Sequence, residues 1–260
     1  MLTYEPMLRL GAFLAILALL LLAEMLAPWR VARPLGPRRW SHHFGLLMLG
    51  ALLARLLVPA GAMGAAFWAQ SRGLGLLPML DLPLWAAMAV SVVLLDLLIY
   101  LQHRLFHAVP LLWRLHRVHH ADTEMDATTG LRFHPLELLL SVFIKMAAVI
   151  ALGVPPEGVL LFEVMLNASS MFEHAAITLP PRLDAALRRV IITPSLHRIH
   201  HSERLEETNS NFGFNLSLWD HWFGTLRRHH QGALRLGIGR YGQKRDQRLD
   251  QLLLQPLRRD

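Results

Sequence analysis

Histidines at helical spacing are the residues through which this chain could do chemistry. In Gln102-His103-Arg104-Leu105-Phe106-His107 two imidazoles lie four residues apart, one turn along the same face of a helix. In His116-Arg117-Val118-His119-His120 the third and fourth positions after the first imidazole flank its face, so one cluster can serve two neighbouring ions. The same spacing returns in His197-Arg198-Ile199-His200-His201, just after Thr193-Pro194, where the proline can open a helix. Two copies of His-x-x-His-His have no evident purpose as a solvated basic face. With His103 and His107 their imidazoles number eight, more than the three or four protein ligands that one zinc ion takes, so two metal ions are implied. Imidazole suits iron, copper, nickel or zinc, and ligand type alone does not select among them.

Other chemistries are removed by what the chain lacks. It has no cysteine, which excludes thiolate zinc sites, iron–sulfur clusters, disulfides and cysteine nucleophiles. There is no His-Glu-x-x-His of a zinc peptidase and no Gly-x-Ser-x-Gly of an acyl hydrolase. No dinucleotide fingerprint, flavin motif or haem motif is evident, so electrons for a redox reaction must come from a separate protein.

The elements that position these histidines are membrane helices. Of 260 residues 53% are hydrophobic and 17% charged, an excess of apolar over charged residues compared with soluble domains. Met7 to Ala27 is long enough to span, and it is too long and too poor in preceding basic residues for a signal peptide. Phe44 to Ala66, interrupted by Arg55 and Pro59, and Leu84 to Leu101, apolar except for Asp96, are further spans. Leu136 to Gly153 and Val159 to Phe172 are shorter runs joined by Val154-Pro155-Pro156-Glu157-Gly158, which reads as the tip of a helical hairpin. Lys145 and Glu163 inside them must face protein or a cavity, snorkel, or mark a hairpin that does not fully cross. The expected architecture is all-α: a bundle of four to five membrane helices under a helical cap that carries a His-rich di-metal site. Residues 1–83 form N-terminal membrane helices and loops, and 84–260 a catalytic domain, with no internal repeat.

The net charge of +7 lies in Arg-rich segments flanking apolar runs, which suits membrane headgroups rather than nucleic acid. Arg30, Arg33, Arg38 and Arg39 between the first two spans, against Arg72 beside Asp81 in the next loop, place the first loop in the cytoplasm. His103 then emerges on the cytoplasmic side. The hairpin tip, which carries no Lys or Arg, points outward, and its return delivers His174 to the same side. All the clusters thus meet at one face. His42, His43, His229 and His230 lie in basic segments and are read as solvated.

Together these motifs resemble the fatty acid hydroxylase/sterol desaturase superfamily, whose signature is His-x3-His followed by two copies of His-x2-His-His. The resemblance runs from about residue 90 to 255. Asp96, Tyr100 and His103-Arg104 match its Asp-x3-Tyr-x2-His-Arg entry, and Arg132-Phe133-His134-Pro135-Leu136-Glu137 its Arg-x-His-Pro-x-Glu element. Glu173-His174 fits its additional histidine. Asn211-Phe212-Gly213 and Trp219-Asp220-His221-Trp222-Phe223-Gly224-Thr225 fit its closing pattern, with Phe212 for Tyr and His221-Trp222 for Arg-Leu. The resemblance implies a bacterial-type member binding two iron ions, with zinc a possible occupant after purification, and using O2 and two electrons to hydroxylate or desaturate a lipid or sterol-like substrate.

It further implies His103, His107, His116, His119, His120, His174, His197, His200 and His201 as ligands. His134 is either a tenth ligand or a helix-start residue, and His221 is left out. Asp96, Tyr100, Asn211 and Asp220 are candidates for orienting the ligands from behind. The implied partners are a membrane-borne lipid and a ferredoxin or flavoprotein reductase, and the implied location is a bacterial inner membrane. Two rival readings stay open: a carotenoid or alkane hydroxylase of a related His-rich class, and a non-enzymatic membrane zinc-binding or transport protein.

Overall fold

The computed structural model describes residues 4–29 and 37–258. Arg30 and Arg33 of the first loop lie outside the described residues. The chain is all-helical, with only three isolated β-bridges and no strand among the described residues. Four helical stretches are long and apolar enough to cross a membrane. The first is α1 (Glu5–Leu26). The second is α2 (Pro37–Leu57) continued by α3 (Gly61–Ser71), and the third and fourth are α4 (Leu84–Ala108) and α6 (Pro135–Leu152). Between α4 and α6 lies the short α5 (Pro110–His120).

The break between α2 and α3 falls at Pro59, which has no N–H to continue the ladder, and Gly61 follows at φ 51°. The helical hairpin expected around 154–158 is present: α6 ends on Gly153 in the left-handed region, and α7 (Pro156–His174) starts with proline in its first turn. Gly153 is also a close approach, since a Cβ there would run into the Leu74 carbonyl and the Pro78 ring. The loop before α4 is thereby pinned against the hairpin tip.

Apolar side chains face outward along the bundle, among them Leu10, Leu14, Leu52, Leu56, Phe143 and Leu161. Inside, Leu95, Ile99, Val149, Val159 and Phe162 pack α4, α6 and α7 together with Ala62 and Ala66 of α3. An outer surface this apolar suits hydrocarbon rather than water. The charges within the hairpin are paired: Lys145 and Arg9 both contact Glu163, and Arg9 also contacts Glu5.

The histidine-bearing ends of the helices gather at one end of the bundle. There Glu24, near the end of α1, accepts hydrogen bonds from the backbone N–H of Ala127 (2.7 Å) and Ala176 (2.8 Å). At the start of α2, Arg39 reaches Asp122 and Asp126, which precede a 3-10 turn at Ala127–Leu131, and Thr129 within it. Asp122 is held well below the usual carboxylate range because Arg39 and Arg132 outweigh its burial. Expected in solvent, His43 is instead fully buried, with Nδ1 2.9 Å from Thr128 Oγ1. The reason is that the first turns of α2 dock into the cap through Arg39 and carry His43 with them. His229 and His230 are exposed, as expected, and His42 is half-buried.

Past α7 the chain forms the cap from short helices: α8 (Pro181–Leu187), α9 (Pro194–His200), α10 (Leu205–Thr208), α11 (Leu218–Trp222) and α12 (Leu249–Leu254).

Candidate metal centre

The His-x3-His pair lies on the last two turns of α4, so the helix that crosses the bundle also presents His103 and His107 at its end. A near-immediate turn at Val109 starts α5, whose final turns present His116, His119 and His120. Proline at the first turn of α9 opens the helix that carries His197 and His200, with His201 as its C-cap. His174 ends α7.

These side chains form two groups. His103, His107, His116, His120 and His200 converge in one, and His119, His174, His197 and His201 in the other; within each group the ligand atoms lie within 4.8 Å of one another. Each His-x-x-His-His triplet is divided between them. His116 and His120, four apart, face the first group while His119 faces the second. His197 and His201 face the second while His200 faces the first. Nine of the ten residues expected as ligands are thus brought together.

His134 is not among them. Its Nδ1 accepts from the Leu136 N–H at 3.2 Å and caps α6, and its Nε2 lies 3.3 Å from the Leu253 carbonyl.

The arrangement is one that bound cations would satisfy. A carbonyl oxygen only accepts, so the imidazoles that meet one there donate from Nδ1. His103 donates to the Phe212 carbonyl (2.8 Å), His200 to that of Ser210 (2.7 Å) and His174 to that of Ser170 (2.5 Å). Their Nε2 atoms therefore carry lone pairs. Yet His103 Nε2 lies 3.1 Å from His200 Nε2, two lone pairs facing each other. Only a positive ion between them turns that repulsion into attraction.

The charge balance points the same way. Glu137 lies 2.6 Å from His116 Nδ1, and its other oxygen is buried with no hydrogen-bond partner. Glu173 is fully buried 3.6 Å from His197 Nδ1, with both oxygens unpartnered. Buried without a protein cation, these carboxylates are ionised only beside a positive charge, which bound metal ions would supply. Burial, reinforced by the neighbouring rings, holds His119, His120, His197, His200 and His201 well below the ordinary imidazole value. Burial lowers His116 to about 3. All are neutral at pH 7, the form that binds metal.

None of the four residues expected to orient ligands touches an imidazole; all four hold the loop that does. Asp96 accepts from the Asn215 N–H (3.2 Å) and Nδ2 (2.8 Å), the Leu216 N–H (3.2 Å) and Trp219 Nε1 (2.7 Å). Asp220 accepts from the Phe212 and Gly213 N–H groups, both at 2.8 Å, and from Thr225 Oγ1. Tyr100 bonds to Thr225 Oγ1 at 2.8 Å. Asn211, at φ 52°, ties the loop to Leu196 and Arg227. Through them the Phe212 carbonyl is fixed against His103.

Sequence reasoning missed the direct partners: Glu137, Glu173 and three backbone carbonyls. Glu137 closes the Arg-x-His-Pro-x-Glu element and Glu173 precedes His174, a signal that could have flagged them, whereas carbonyl partners leave no mark in a sequence. Missed too was Trp113, whose ring lies 4.9 Å from that of His107 and 5.3 Å from that of His120.

Beside the first group a cavity of about 250 Å³ opens between α4, α6 and α7. His103, His116 and Glu137 line one end, and Ile99, Phe106, Leu131, Leu138, Val142 and Phe214 line its walls.

A helical membrane bundle whose cap encloses two all-imidazole groups spaced to hold metal ions is the class of protein that fold and site define. The fatty acid hydroxylase family model matches residues 88–225, and this chain belongs to that family. Among curated proteins it is 29% identical over 144 residues to an ornithine lipid hydroxylase, OlsE, of Rhizobium tropici, covering 55% of this chain and 43% of the relative. It is 28% identical over 127 residues to the alkylglycerol monooxygenase of Homo sapiens, covering 49% of this chain and 27% of the relative. It is 29% identical over 144 residues to the cholesterol 25-hydroxylase of Rattus norvegicus, covering 53% and 46%. The chain thus spans less than half the length of the relatives it matches. No solved structure matches it.

Proposed function

We propose that this chain is a membrane-bound di-iron oxygenase that hydroxylates or desaturates a C–H bond of a lipid or sterol-like substrate. The observation that carries the reading is a pair of buried imidazole groups, the first of which closes one end of a mostly apolar cavity between α4, α6 and α7. The likeness to hydroxylases and monooxygenases of lipids and sterols supports the reaction class.

His103, His107, His116, His120 and His200 would hold one iron, and His119, His174, His197 and His201 the other. When bound, the irons supply dioxygen reduction and oxidation of an unactivated C–H bond. The protein fixes the imidazoles through Glu137, Glu173 and the Phe212, Ser210 and Ser170 carbonyls, so their positions are set before substrate arrives. The walls of Ile99, Phe106, Leu138 and Val142 exclude water and line up an acyl or sterol chain toward His103 and His116.

Electrons come from a separate ferredoxin or flavoprotein. Arg104, Arg114, Arg227 and Arg228, at the histidine-bearing end, suit an acidic donor and a cytoplasmic orientation in a bacterial inner membrane.

The test is mass spectrometry of lipids from cells grown under 18O2 with and without the gene. One 18O atom in a lipid product argues hydroxylation, and loss of two hydrogens argues desaturation. Either change disappears in His119→Ala or His200→Ala with membrane insertion retained, and persists in His230→Ala. A lipid profile indifferent to the gene overturns the proposal.

A further inference from the structure

The cavity is not uniformly apolar. One to two turns beyond Glu137 along α6, Ser141 and Lys145, with Gln102 of α4 and Asn167 of α7, form a polar band across its walls. Gln102 Nε2 donates to Ser141 Oγ at 2.7 Å, which orients the amide, while its Oε1 is buried and has no partner. An unpaired buried carbonyl oxygen among hydrocarbon is costly, so this position is one where a ligand donor fits. Lys145 contacts Glu163, yet an ammonium has three N–H donors to place. Asn167 Nδ2 donates to the Glu163 carbonyl at 2.9 Å, which holds its side chain beside the same wall.

The charges around the band cancel. Glu163 is shared by Lys145 and Arg9, and Arg9 is also matched by Glu5, so two carboxylates meet two cations. A charged substrate group would upset that balance, and a purely apolar one would leave Gln102 Oε1 unsatisfied. A neutral group with both a donor and an acceptor fits: its N–H or O–H to Gln102 Oε1, its oxygen to the Lys145 ammonium. Lys145 is eight residues beyond Glu137, about 12 Å at the rise of an α-helix.

We infer that Gln102 and Lys145 form a binding subsite for an uncharged hydroxyl or amide on the substrate lipid, which sets the oxidised carbon at a fixed distance from that group. The inference rests on the cavity being the substrate site, and it deepens that reading by naming the chemistry recognised.

The experiment compares 1-dodecanol, N-dodecylacetamide, dodecyl methyl ether and dodecane, each at the same mole fraction in detergent micelles holding metal-loaded protein. Thermal unfolding is followed for each. The alcohol and the amide raise the midpoint by roughly 4 °C, as expected for a ligand well above its Kd, and the ether and alkane do not. Gln102→Leu and Lys145→Met each abolish the rise without changing metal content. Arg9 still meets Glu163 in Lys145→Met, so that variant leaves no carboxylate stranded.

Equal shifts from all four compounds, or rises that survive in both variants, overturn the subsite. Dioxygen uptake by the same samples on adding a reductant separates this from the enzymatic reading. Selective binding of the alcohol without uptake keeps the subsite and sinks the oxygenase, and uptake with equal binding of all four compounds does the reverse.

Discussion

Nine imidazoles in two groups make the centre, and what sets their behaviour is the atom behind each ring. His116 is backed by the Glu137 carboxylate, which raises its basicity and fixes which nitrogen faces the metal. Glu137→Ala is expected to weaken metal binding to the five-histidine group by about 10–100-fold and to leave the four-histidine group loaded. Titration of metal retention against a chelator checks this, and equal loss from both groups contradicts it. The grouping of the imidazoles was legible in the sequence because the spacing of three and four residues is itself helical geometry. The backing atoms were not: Phe212, Ser170 and Ser210 act through carbonyls that every residue carries, and only the fold says which carbonyl meets which ring. His134 shows the opposite limit. It lies in a histidine-bearing motif element, but the proline after it makes its position a helix N-cap, and its ring serves the backbone.

At the scale of elements, the four-histidine group depends on how closely the 3-10 turn at Ala127–Leu131 approaches α7. Gly130 permits it: a Cβ there would lie 2.5 Å from the Ser170 carbonyl, the acceptor for His174. Gly130→Ala is expected to displace that carbonyl, cost about 1–3 kcal/mol, and lower the metal affinity of the four-histidine group more than that of the five. A thermal melt with metal analysis tests it; unchanged loading of both groups would show that the turn does not position His174. The spans and the hairpin were readable from apolar length and the Pro-Pro-Glu-Gly tip, since both follow from local chemistry. The docking of the first turns of α2 was not. Its basic sequence reads as solvated, yet Arg39 finds Asp122 and Asp126 more than eighty residues away and draws His43 inside. Asp96 likewise reads as a residue that orients the ligands from behind, and only the fold shows it gathering the segment from Asn215 to Trp219.

The whole molecule places α1, α4 and α7 with their C-terminal ends, and α2 and α6 with their N-terminal ends, around one centre. That convergence was legible from charge and hydropathy, and it makes a side-specific prediction. Because the chain has no cysteine, single cysteines can be placed without background. One replacing Glu157 at the hairpin tip is expected to react with an impermeant maleimide from outside intact cells, and one replacing His229 only after the inner face is exposed. The reverse pattern would invert the proposed orientation and leave the site intact.

Chelation should destabilise the cap, since the facing Nε2 atoms of His103 and His200 lose the charge that holds them together. The most direct measurement is the metal content of anaerobically purified protein, combined with dioxygen uptake on adding reductant and lipid. Two irons per chain, falling in both His119→Ala and His200→Ala together with uptake, is the expected result. Zinc as the sole supported metal, with no dioxygen consumed, would contradict it.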